Sequence, residues 1–351
     1  MKIDIDVSEY LVDVCIPSYY GSEILDSAIN TVLTQSHQNF RILISDNTPE
    51  TDVVEREKIA RMIESFSDSR IHYRANSVNL GYPRNIMALY EWSSAEYVFL
   101  LAQDDLLSEI AIEASLRGLI ENGEIAAIAR PYYWFFDDPT KAVREISVLD
   151  ASRVVVVNCE SSESEIIHTL ISASQLSGLM YRRSRIHEPF VNSIFPAHIY
   201  PLAGALRDYG VGFMPFHTVA VCIGKSQTRH ISEIYSESPT DAWVDLYKHV
   251  FRTEQSLKVS TMGIKNHMGR NYVGLIQIRN FGKFRYFLRE LLILLRIRPK
   301  NLVSLKFWFF AFGLTILPPR FCIWAVDNFK DKILSRKLEG VSLAKKKDAW
   351  W

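Results

Sequence analysis

The chain has 351 residues, of which 48% are hydrophobic, and its 40 Lys and Arg balance 40 Asp and Glu to a net charge of zero. This length and hydrophobic content predict a globular protein with one large domain or two unequal domains. A neutral balance argues against a nucleic-acid-binding protein held by a broad basic surface. The four cysteines form no C-x-x-C pair, so the sequence indicates neither a zinc site nor a disulfide framework and fits a reducing cytoplasm.

The first 130 residues alternate between short apolar runs and stretches with helical spacing. Strands are predicted over residues 11–16, 40–45, 70–75, 96–102 and 125–130, and a helix follows each of the first four. This alternation predicts right-handed βαβ units, a mainly parallel sheet and therefore an α/β fold.

Beyond residue 131 the alternation is less regular. The runs "VVVVN" and "SGLMYRR" predict strands with the helix "SESEIIHTLISA" between them, and "GFMPFHTVAVCI" predicts one further strand or a hairpin. From about Ser238 onwards the pattern is mostly helical. We therefore predict an α/β domain over residues 1–235 and a helical region over residues 236–351.

Unusual polar residues follow each of the first four predicted strands. They are Pro17, Ser18 and Tyr19; Asp46 and Asn47; the stretch Gly81 to Asn85; and Asp104 with Asp105. Taken singly, each motif is more often a turn or a helix start. In an open parallel sheet, however, ligands bind beyond the carboxyl ends of the strands, so these loops are expected to face one crevice.

The combination suits a nucleotide diphosphate. A carboxylate can accept a hydrogen bond from a base N–H, Arg84 near a helix N-terminus can bind phosphate, and carboxylate oxygens can hold a hard cation. The chain has no G-x-G-x-x-G and no G-x-x-x-x-G-K-[ST] motif, which argues against a dinucleotide-binding fold and a P-loop.

Three stretches carry a resemblance to a known family. "VDVCIPSYYGSEILDSAINTVLTQSHQNFRILISDN", "NLGYPRN" and "AQDD" resemble the nucleotide-binding half of the family 2 glycosyltransferases of GT-A fold, notably bacterial O-antigen sugar transferases of the abequosyltransferase-like kind. The match covers residues 10 to 125 well and extends loosely to about residue 225. The resemblance implies a GT-A, Rossmann-like sheet with flanking helices. It also implies that a nucleotide-sugar donor binds to this domain.

The resemblance also implies roles for individual residues. Pro17, Tyr19 and Asp46 would hold the nucleoside, and Arg84 and Asn85 would lie along the diphosphate.

The metal motif departs from the usual family pattern. That pattern is Asp-x-Asp-Asp, whereas this chain has Ala102-Gln103-Asp104-Asp105, without the leading Asp. The resemblance implies that Asp104 and Asp105 form the motif that binds Mn²⁺ or Mg²⁺. Coordination and a part in catalysis are expected mainly of Asp105, with Asp104 directed towards the ribose.

The acceptor half offers fewer signals. A general base must take the proton from the attacking hydroxyl, and His198 has an ordinary pKa near neutrality that would suit this role. The alternative for His198 is a packed histidine on a helix, and Asp208 beside Arg207 reads as a surface residue. In the polar loop "GKSQTRHISEIYSESPT", His230 would complete the metal shell and Arg229 would bind phosphate, or the loop is simply solvated.

The C-terminal part is basic and apolar. Residues 281–351 contain 15 Lys and Arg against 5 Asp and Glu, whereas the rest of the chain has 25 against 35. The longest uncharged apolar run, residues 307–317, is 11 residues and is too short to span a bilayer. Aromatic residues flanked by Lys and Arg suggest helices that lie in the interface of an anionic membrane. A buried helical subdomain or a homo-oligomer interface is the alternative.

The combined prediction is a metal-dependent, inverting glycosyltransferase. It would move a sugar from a nucleotide-sugar donor to a polyprenyl-diphosphate-linked glycan, as a cytoplasmic protein peripheral to the inner face of the cell membrane, without nucleic acid. Two alternatives stay open: a catalytically impaired binding or scaffold protein, and a nucleotidyltransferase. The latter would normally carry a glycine-rich, basic phosphate loop after the first strand, and "PSYYGSE" has none. The sequence does not identify the nucleobase, the sugar or the linkage.

Overall fold

A mixed eight-stranded sheet lies at the centre of the computed structural model, which describes residues 6–224, 232–329 and 336–337. The strands of the described residues are β1 (Val12–Ser18), β2 (Phe40–Asp46), β3 (Ile71–Ala75), β4 (Tyr97–Leu100), β5 (Leu106–Leu107), β6 (Ala127–Ala129), β7 (Tyr133–Phe135), β8 (Lys141–Ala142), β9 (Arg144–Glu145), β10 (Val155–Val157), β11 (Met180–Arg182), β12 (Val211–Phe213), β13 (Val219–Cys222) and β14 (Arg336–Lys337).

The α-helices alternate with the strands along the first half of the chain and make up most of the described C-terminal region. They are α1 (Leu25–Leu33), α2 (Val53–Ser65), α3 (Tyr82–Trp92), α4 (Ala111–Glu121), α5 (Glu163–Ser172), α6 (Ile199–Asp208), α7 (Pro239–Val250), α8 (Leu257–Met262), α9 (Tyr272–Phe281), α10 (Phe284–Ile297), α11 (Leu305–Ile316) and α12 (Pro319–Phe329). The predicted alternation of strands and helices over the first 130 residues is confirmed.

The strand order in the central sheet is β10-β12-β6-β11-β4-β1-β2-β3. Strand β1 is parallel to both β2 and β4, and β2 is parallel to β3. Strand β11 runs antiparallel to β4 and β6, and β10 runs antiparallel to β12. The sheet is therefore mainly parallel, as predicted, with antiparallel insertions from the second half of the domain.

Burial on both faces explains the composition of the central strands. Strand β1 reads VDVCIPS and only Pro17 is not fully buried, as expected for a strand covered by helices on both faces. Its one charged residue, Asp13, accepts two hydrogen bonds from Arg41 in β2 at 2.8 and 2.9 Å. Backbone N–H groups of Ser94 and Ala95 also donate to this carboxylate, so the buried charge is fully compensated.

A second, four-stranded sheet has the order β5-β13-β7-β9. The run "GFMPFHTVAVCI" was expected to form one strand or a hairpin, and this expectation is wrong. It forms β12 in the central sheet and β13 in the second sheet, which pairs with β5 and β7. Pro215 lies between them, and a proline cannot donate a hydrogen bond inside a sheet.

The helical region begins as part of the main core. Side chains of α7 and α8, among them Trp243 and Val259, pack in the same hydrophobic cluster as the central sheet. Met268 is the last residue of this cluster along the chain. A separate cluster joins Tyr235 to residues of α9, α10, α11 and α12. The boundary at residue 235 stays a prediction, and the packing favours a division between Met268 and Tyr272. Within the described ranges, no helix is both long and apolar enough to cross a membrane.

Candidate active site

Four parallel strands bring their carboxyl ends to one edge of the central sheet. In the paired register, Ser18 at the end of β1 lies opposite Asp46 at the end of β2, and Asp46 lies opposite Ala75 at the end of β3. The chain moves from β1 outward through β2 and β3, then returns to place β4 on the other side of β1. This reversal makes a topological switch point between β1 and β4, where open α/β sheets bind their ligands.

The loop after β1 presents two aromatic side chains beside this point. Tyr19 is half-buried and Tyr20 is exposed, and their rings meet edge to face with centroids 4.7 Å apart. Tyr20 has a φ of 52°, a left-handed conformation that is uncommon for a tyrosine and is often found at functional sites. Its N–H donates to Thr48 Oγ1 at 3.0 Å, which ties this loop to the one after β2.

Gln103 connects the two sides of the switch point, and sequence reasoning missed it. Its side chain accepts a hydrogen bond from Tyr19 N–H and donates to the Tyr19 carbonyl, both at 2.9 Å. The position lies inside the acidic motif, but nothing in its sequence context indicated a partner 84 residues away.

The loop after β1 packs closely against Gln103. Ser18 Oγ is buried and has no hydrogen-bond partner among the residues that the structure describes. A Cβ on Gly21 would lie 2.7 Å from this oxygen and 2.9 Å from Gln103 Oε1, so the close approach of the loop to these two oxygen atoms requires glycine.

The two aspartates at the end of β4 differ in environment. Asp105 is buried: its Oδ1 accepts from Cys222 N–H at 2.9 Å and its Oδ2 accepts from Ser177 Oγ at 2.5 Å. Burial and the neighbouring Asp104 raise the pKa of Asp105 well above its usual range, against the lowering effect of these hydrogen bonds. Asp104 is only partly buried. Asp105 is therefore engaged with the protein, and Asp104 is the more accessible of the two carboxylates.

Arg130 is a buried residue that interacts electrostatically with Asp105, and the sequence analysis did not predict it. Arg130 is fully buried and donates to the carbonyls of Ser172 and Gln175 at 3.1 and 2.9 Å. Burial lowers its pKa to about 10. Gly178 has a φ of 85°, and a Cβ there would lie 2.8 Å from Arg130 Nε, so the segment that carries Ser177 fits closely over the arginine.

Asp46 and Asn85 lie at the predicted edge, but their side chains are buried. Asp46 accepts hydrogen bonds from Thr48 N–H and Oγ1 at 2.9 and 2.7 Å, and from the Tyr73 hydroxyl at 2.8 Å. Asn85 donates to the Ser45 carbonyl at 2.9 Å and accepts from Asn76 at 3.1 Å. These contacts hold the loops after β2 and β3 together, a framework role that the expected ligand contacts did not anticipate.

Arg84 and Pro17 occupy more open positions. Arg84 lies on the first turn of α3 with its side chain exposed, at the end of the helix where the backbone N–H groups favour anions. Pro17 is half-buried and lies opposite Ser45 in the register.

The geometry does not support His198 as a general base. It is buried at the start of α6, where Nδ1 accepts from the Tyr82 hydroxyl at 2.7 Å and Nε2 donates to the Ala173 carbonyl at 2.9 Å. Burial lowers its pKa to about 4. The contacts fit the alternative of a packed histidine.

Arg207 pairs with Asp208 at 2.7 Å, whereas Arg229 and His230 lie outside the described residues.

The acidic turn has donor chemistry that a hard divalent cation accepts. Over the described ranges, no group of three or more His, Cys, Asp or Glu side chains is arranged to hold a metal ion. Asp104 is a partly buried carboxylate, so it could supply one oxygen ligand but not a complete protein site. Mg²⁺ is commonly bound by one or two carboxylates together with substrate phosphates, so a nucleotide diphosphate would supply the other ligands.

Known proteins resemble the part of the chain that carries this site. Residues 13–175 match the model of glycosyl transferase family 2. An abequosyltransferase of Salmonella typhimurium is 34% identical over 101 residues, 28% of this chain and 29% of that protein. An Escherichia coli protein named UDP-Glc:alpha-D-GlcNAc-diphosphoundecaprenol beta-1,3-glucosyltransferase is 25% identical over 116 residues, 33% of this chain and 44% of that protein. The matched segments thus span less than half of either relative.

Solved structures resemble the chain over nearly its whole length. S. aureus TarS 1–349 in complex with UDP-GlcNAc has a TM-score of 0.58 at 10% identity and covers 96% of this chain and 99% of its own. A Pyrobaculum calidifontis mannosyltransferase in complex with GDP-Man and Mn²⁺ has a TM-score of 0.51 at 12% identity and covers 94% and 92%. The predicted GT-A fold is confirmed, and the segment of this chain that resembles glycosyl transferase family 2 is residues 13–175.

Proposed function

We propose that this protein transfers a sugar from a nucleotide-sugar donor to a lipid-linked oligosaccharide during synthesis of a bacterial surface polysaccharide. The observation that carries the proposal is the acidic turn at the β1–β4 switch point, where Gln103 joins the turn to the aromatic loop. One relative is named as an abequosyltransferase, and the other is named as a glucosyltransferase that acts on a diphosphoundecaprenol-linked GlcNAc. Both names support the choice of a sugar donor, and the second supports the choice of a lipid-linked acceptor.

Each side of the crevice has a distinct task in the proposed reaction. The Tyr19 and Tyr20 rings would contact the nucleobase and ribose, since aromatic faces provide large contact areas. Asp46 would act through Thr48 and the Tyr20 N–H that Thr48 binds, rather than by direct contact with the base. Arg84 at the N-terminus of α3 would bind the diphosphate.

The two aspartates have different roles in the proposal. Asp104 would hold a divalent cation, and when bound such an ion stabilises negative charge on a leaving diphosphate. Asp105 positions Asp104 and anchors the second sheet through Cys222. In the transfer, the acceptor oxygen bonds to the anomeric carbon, the bond from that carbon to the diphosphate breaks, and the acceptor proton passes to a base. A single displacement of this kind inverts the anomeric configuration, and we include inversion in the proposal.

Nucleotide binding is the first test. Purified protein with Mn²⁺ is screened by thermal shift against UDP, dTDP, GDP and CDP, and at least one nucleotide is expected to raise the unfolding temperature. Transfer is then measured with the matching nucleotide-sugar, and NMR of the product reports the anomeric configuration. Binding without donor hydrolysis or transfer would instead support the binding or scaffold protein.

The role of Asp104 is tested by Asp104→Asn, which keeps the size of the side chain and removes its charge. We expect kcat/KM to fall roughly a hundredfold to a thousandfold, with an unchanged unfolding temperature because Asp104 is only partly buried. Glu109→Gln, at an exposed carboxylate beyond β5, is the matched control and should keep full activity.

Asp105→Ala should behave differently from Asp104→Asn. It leaves Cys222 N–H and Ser177 Oγ without their acceptor, so both activity and about 3 kcal/mol of stability should be lost.

Activity should also disappear in EDTA and return with Mn²⁺. Full activity in EDTA would remove the cation from the proposal without affecting the donor site.

A further inference from the structure

Helix α11 is apolar on two opposite faces. Phe307, Ala311 and Leu314 are at most 7% exposed and pack in the C-terminal cluster, as their spacing of four and three residues predicts. Leu305, Phe309, Phe312 and Ile316 repeat the same spacing on the other side, and their side chains are 60% to 88% exposed. We call these four exposed residues the α11 ridge.

The ridge is held firmly on the protein. On the buried side, Phe307 meets Tyr272 of α9 edge to face, with ring centroids 5.7 Å apart. Arg279 of α9 donates to the Leu314 carbonyl at 2.8 Å, near the end of α11. Because the helix is fixed by its inner face, the outer face is presented to the surroundings as a rigid apolar strip. Leu302 and Val303, just before the helix, extend this exposure at one end.

The charged residues next to the ridge in the sequence are of one sign, although Arg296 pairs with Asp241 of α7. The stretch from residue 291 to residue 326 contains no Asp or Glu, whereas it contains five Lys and Arg: Arg296, Arg298, Lys300, Lys306 and Arg320. Lys300 and Lys306 are exposed at the start of the ridge and Arg320 is exposed beyond its end. A second copy of the chain docked ridge to ridge would bring these cations together without a carboxylate from this stretch to pair them.

We propose that the α11 ridge lies in the surface of an anionic bilayer. An apolar strip flanked by Lys and Arg is the pattern of interfacial helices, in which apolar side chains enter the acyl boundary and cations meet anionic headgroups. The 12-residue helix is about 18 Å long, short of the ~30 Å hydrocarbon core, so it lies along the surface. This inference names a partner surface for the proposed transfer to a lipid-linked acceptor, and it rests on that function for its biological meaning.

Vesicle co-sedimentation of the full chain tests the proposal without any sugar donor. Wild-type protein should sediment with vesicles of phosphatidylglycerol and phosphatidylcholine in equal amounts, and more weakly with phosphatidylcholine alone or at high salt. The double variant Phe309→Ser/Phe312→Ser should lose binding about tenfold or more, with an unchanged unfolding temperature. The matched control is Val53→Ser/Val54→Ser, which changes two exposed apolar residues of α2 and should bind like wild type.

A charge variant separates the two parts of the interaction. Lys300→Gln/Lys306→Gln should weaken binding to the anionic vesicles about tenfold and leave the weak binding to phosphatidylcholine unchanged. Wild-type protein that stays in the supernatant with both vesicles would overturn the proposal. So would a ridge variant that binds as wild type does, or a solution dimer that the ridge variant alone abolishes. Nucleotide thermal shifts are measured on the same samples, so a failed transferase with intact vesicle binding is distinguished from a failed ridge.

Discussion

The acidic α/β half and the basic helical region differ in what they leave at the surface, although both bury hydrogen-bonded polar side chains, such as Asn301 in the helical region. In the α/β half, charged and amide side chains such as Asp13, Asp46, Asn85, Asp105 and Arg130 are buried and hydrogen-bonded. In the helical region, Leu305, Phe309 and Ile316 are at the surface. Burying polar groups is costly unless they are paired, and in the α/β half these groups are paired with one another and with the backbone. These hydrogen bonds hold its loops in one conformation.

The comparison identifies where each half meets its partner. In the α/β half, paired and buried polar groups hold the loops that carry the exposed Tyr20 and Arg84 and the partly buried Asp104. In the helical region, the apolar side chains are themselves exposed. A monomer rarely leaves a contiguous apolar strip in water, so this strip is where contact with another surface is expected.

The largest expected effect compares the two faces of α11. Phe307→Ala should lower the free energy of unfolding by about 4 kcal/mol, because Phe307 is buried and its removal leaves a cavity. Phe309→Ala should change it by no more than about 0.5 kcal/mol, because that side chain already contacts solvent. Urea unfolding of both variants makes the measurement. Equal losses would show that Phe309 is packed in solution, and the contrast between the two halves would disappear.

Low pH should weaken the fold through two buried histidines, His198 of the α/β half and His267, which packs against Trp243 and Tyr247 in the same main core. His198 accepts from the Tyr82 hydroxyl and His267 shares a 2.8 Å hydrogen bond with the Tyr247 hydroxyl. Burial lowers the pKa of each to about 4, from an ordinary value of 6.5. Above pH 6.5 both histidines are neutral in the folded and the unfolded chain, so they give no pH dependence. Between pH 6.5 and 4 the unfolded chain binds protons that the folded chain does not, and stability is lost by up to about 3 kcal/mol for each histidine.

Urea unfolding at a series of pH values measures this loss. The variants His198→Gln and His267→Gln should each flatten the slope below pH 6.5, whatever they cost in stability at pH 7. A variant with the wild-type slope would show that its histidine is accessible to protons in the folded state. For His198, that result would reopen the role of general base.

The smallest effect concerns Gln103. Gln103→Ala removes both hydrogen bonds to Tyr19 and frees the aromatic loop, so we expect KM for the donor to rise about tenfold with a smaller change in kcat. Steady-state kinetics with varied donor makes the measurement. A fall in kcat at unchanged KM would indicate that Gln103 acts on the chemical step rather than on donor binding.

Local sequence patterns predicted much of the fold. The β-branched runs, the helical spacing and the turn residues between them are properties of neighbouring residues, and they located β1 to β4 and the helices between them. The predicted parallel direction of the strands then implied that the loops after them share one edge, and the parallel pairing of β1 to β4 confirms it. The roles assigned to the residues of those loops stay predictions.

The tertiary contacts that the sequence did not indicate concern side chains whose environment depends on distant segments. Asp105 is buried because β13 and Ser177 cover it, 117 and 72 residues further along the chain. The burial of His198 depends on Tyr82, 116 residues earlier. No periodicity or motif reports such pairings, because they arise only when the two segments are folded against each other.

The sequence by itself determined the alternation of strands and helices, the acidic turn at a strand end and the basic, apolar character of the C-terminal region. Only the tertiary structure decided which aspartate reaches the crevice, that Gln103 joins its two sides, and which face of α11 stays in solvent. The physical reason is that composition and period depend on residues close in the chain, whereas burial and hydrogen-bond partners depend on segments that meet in space.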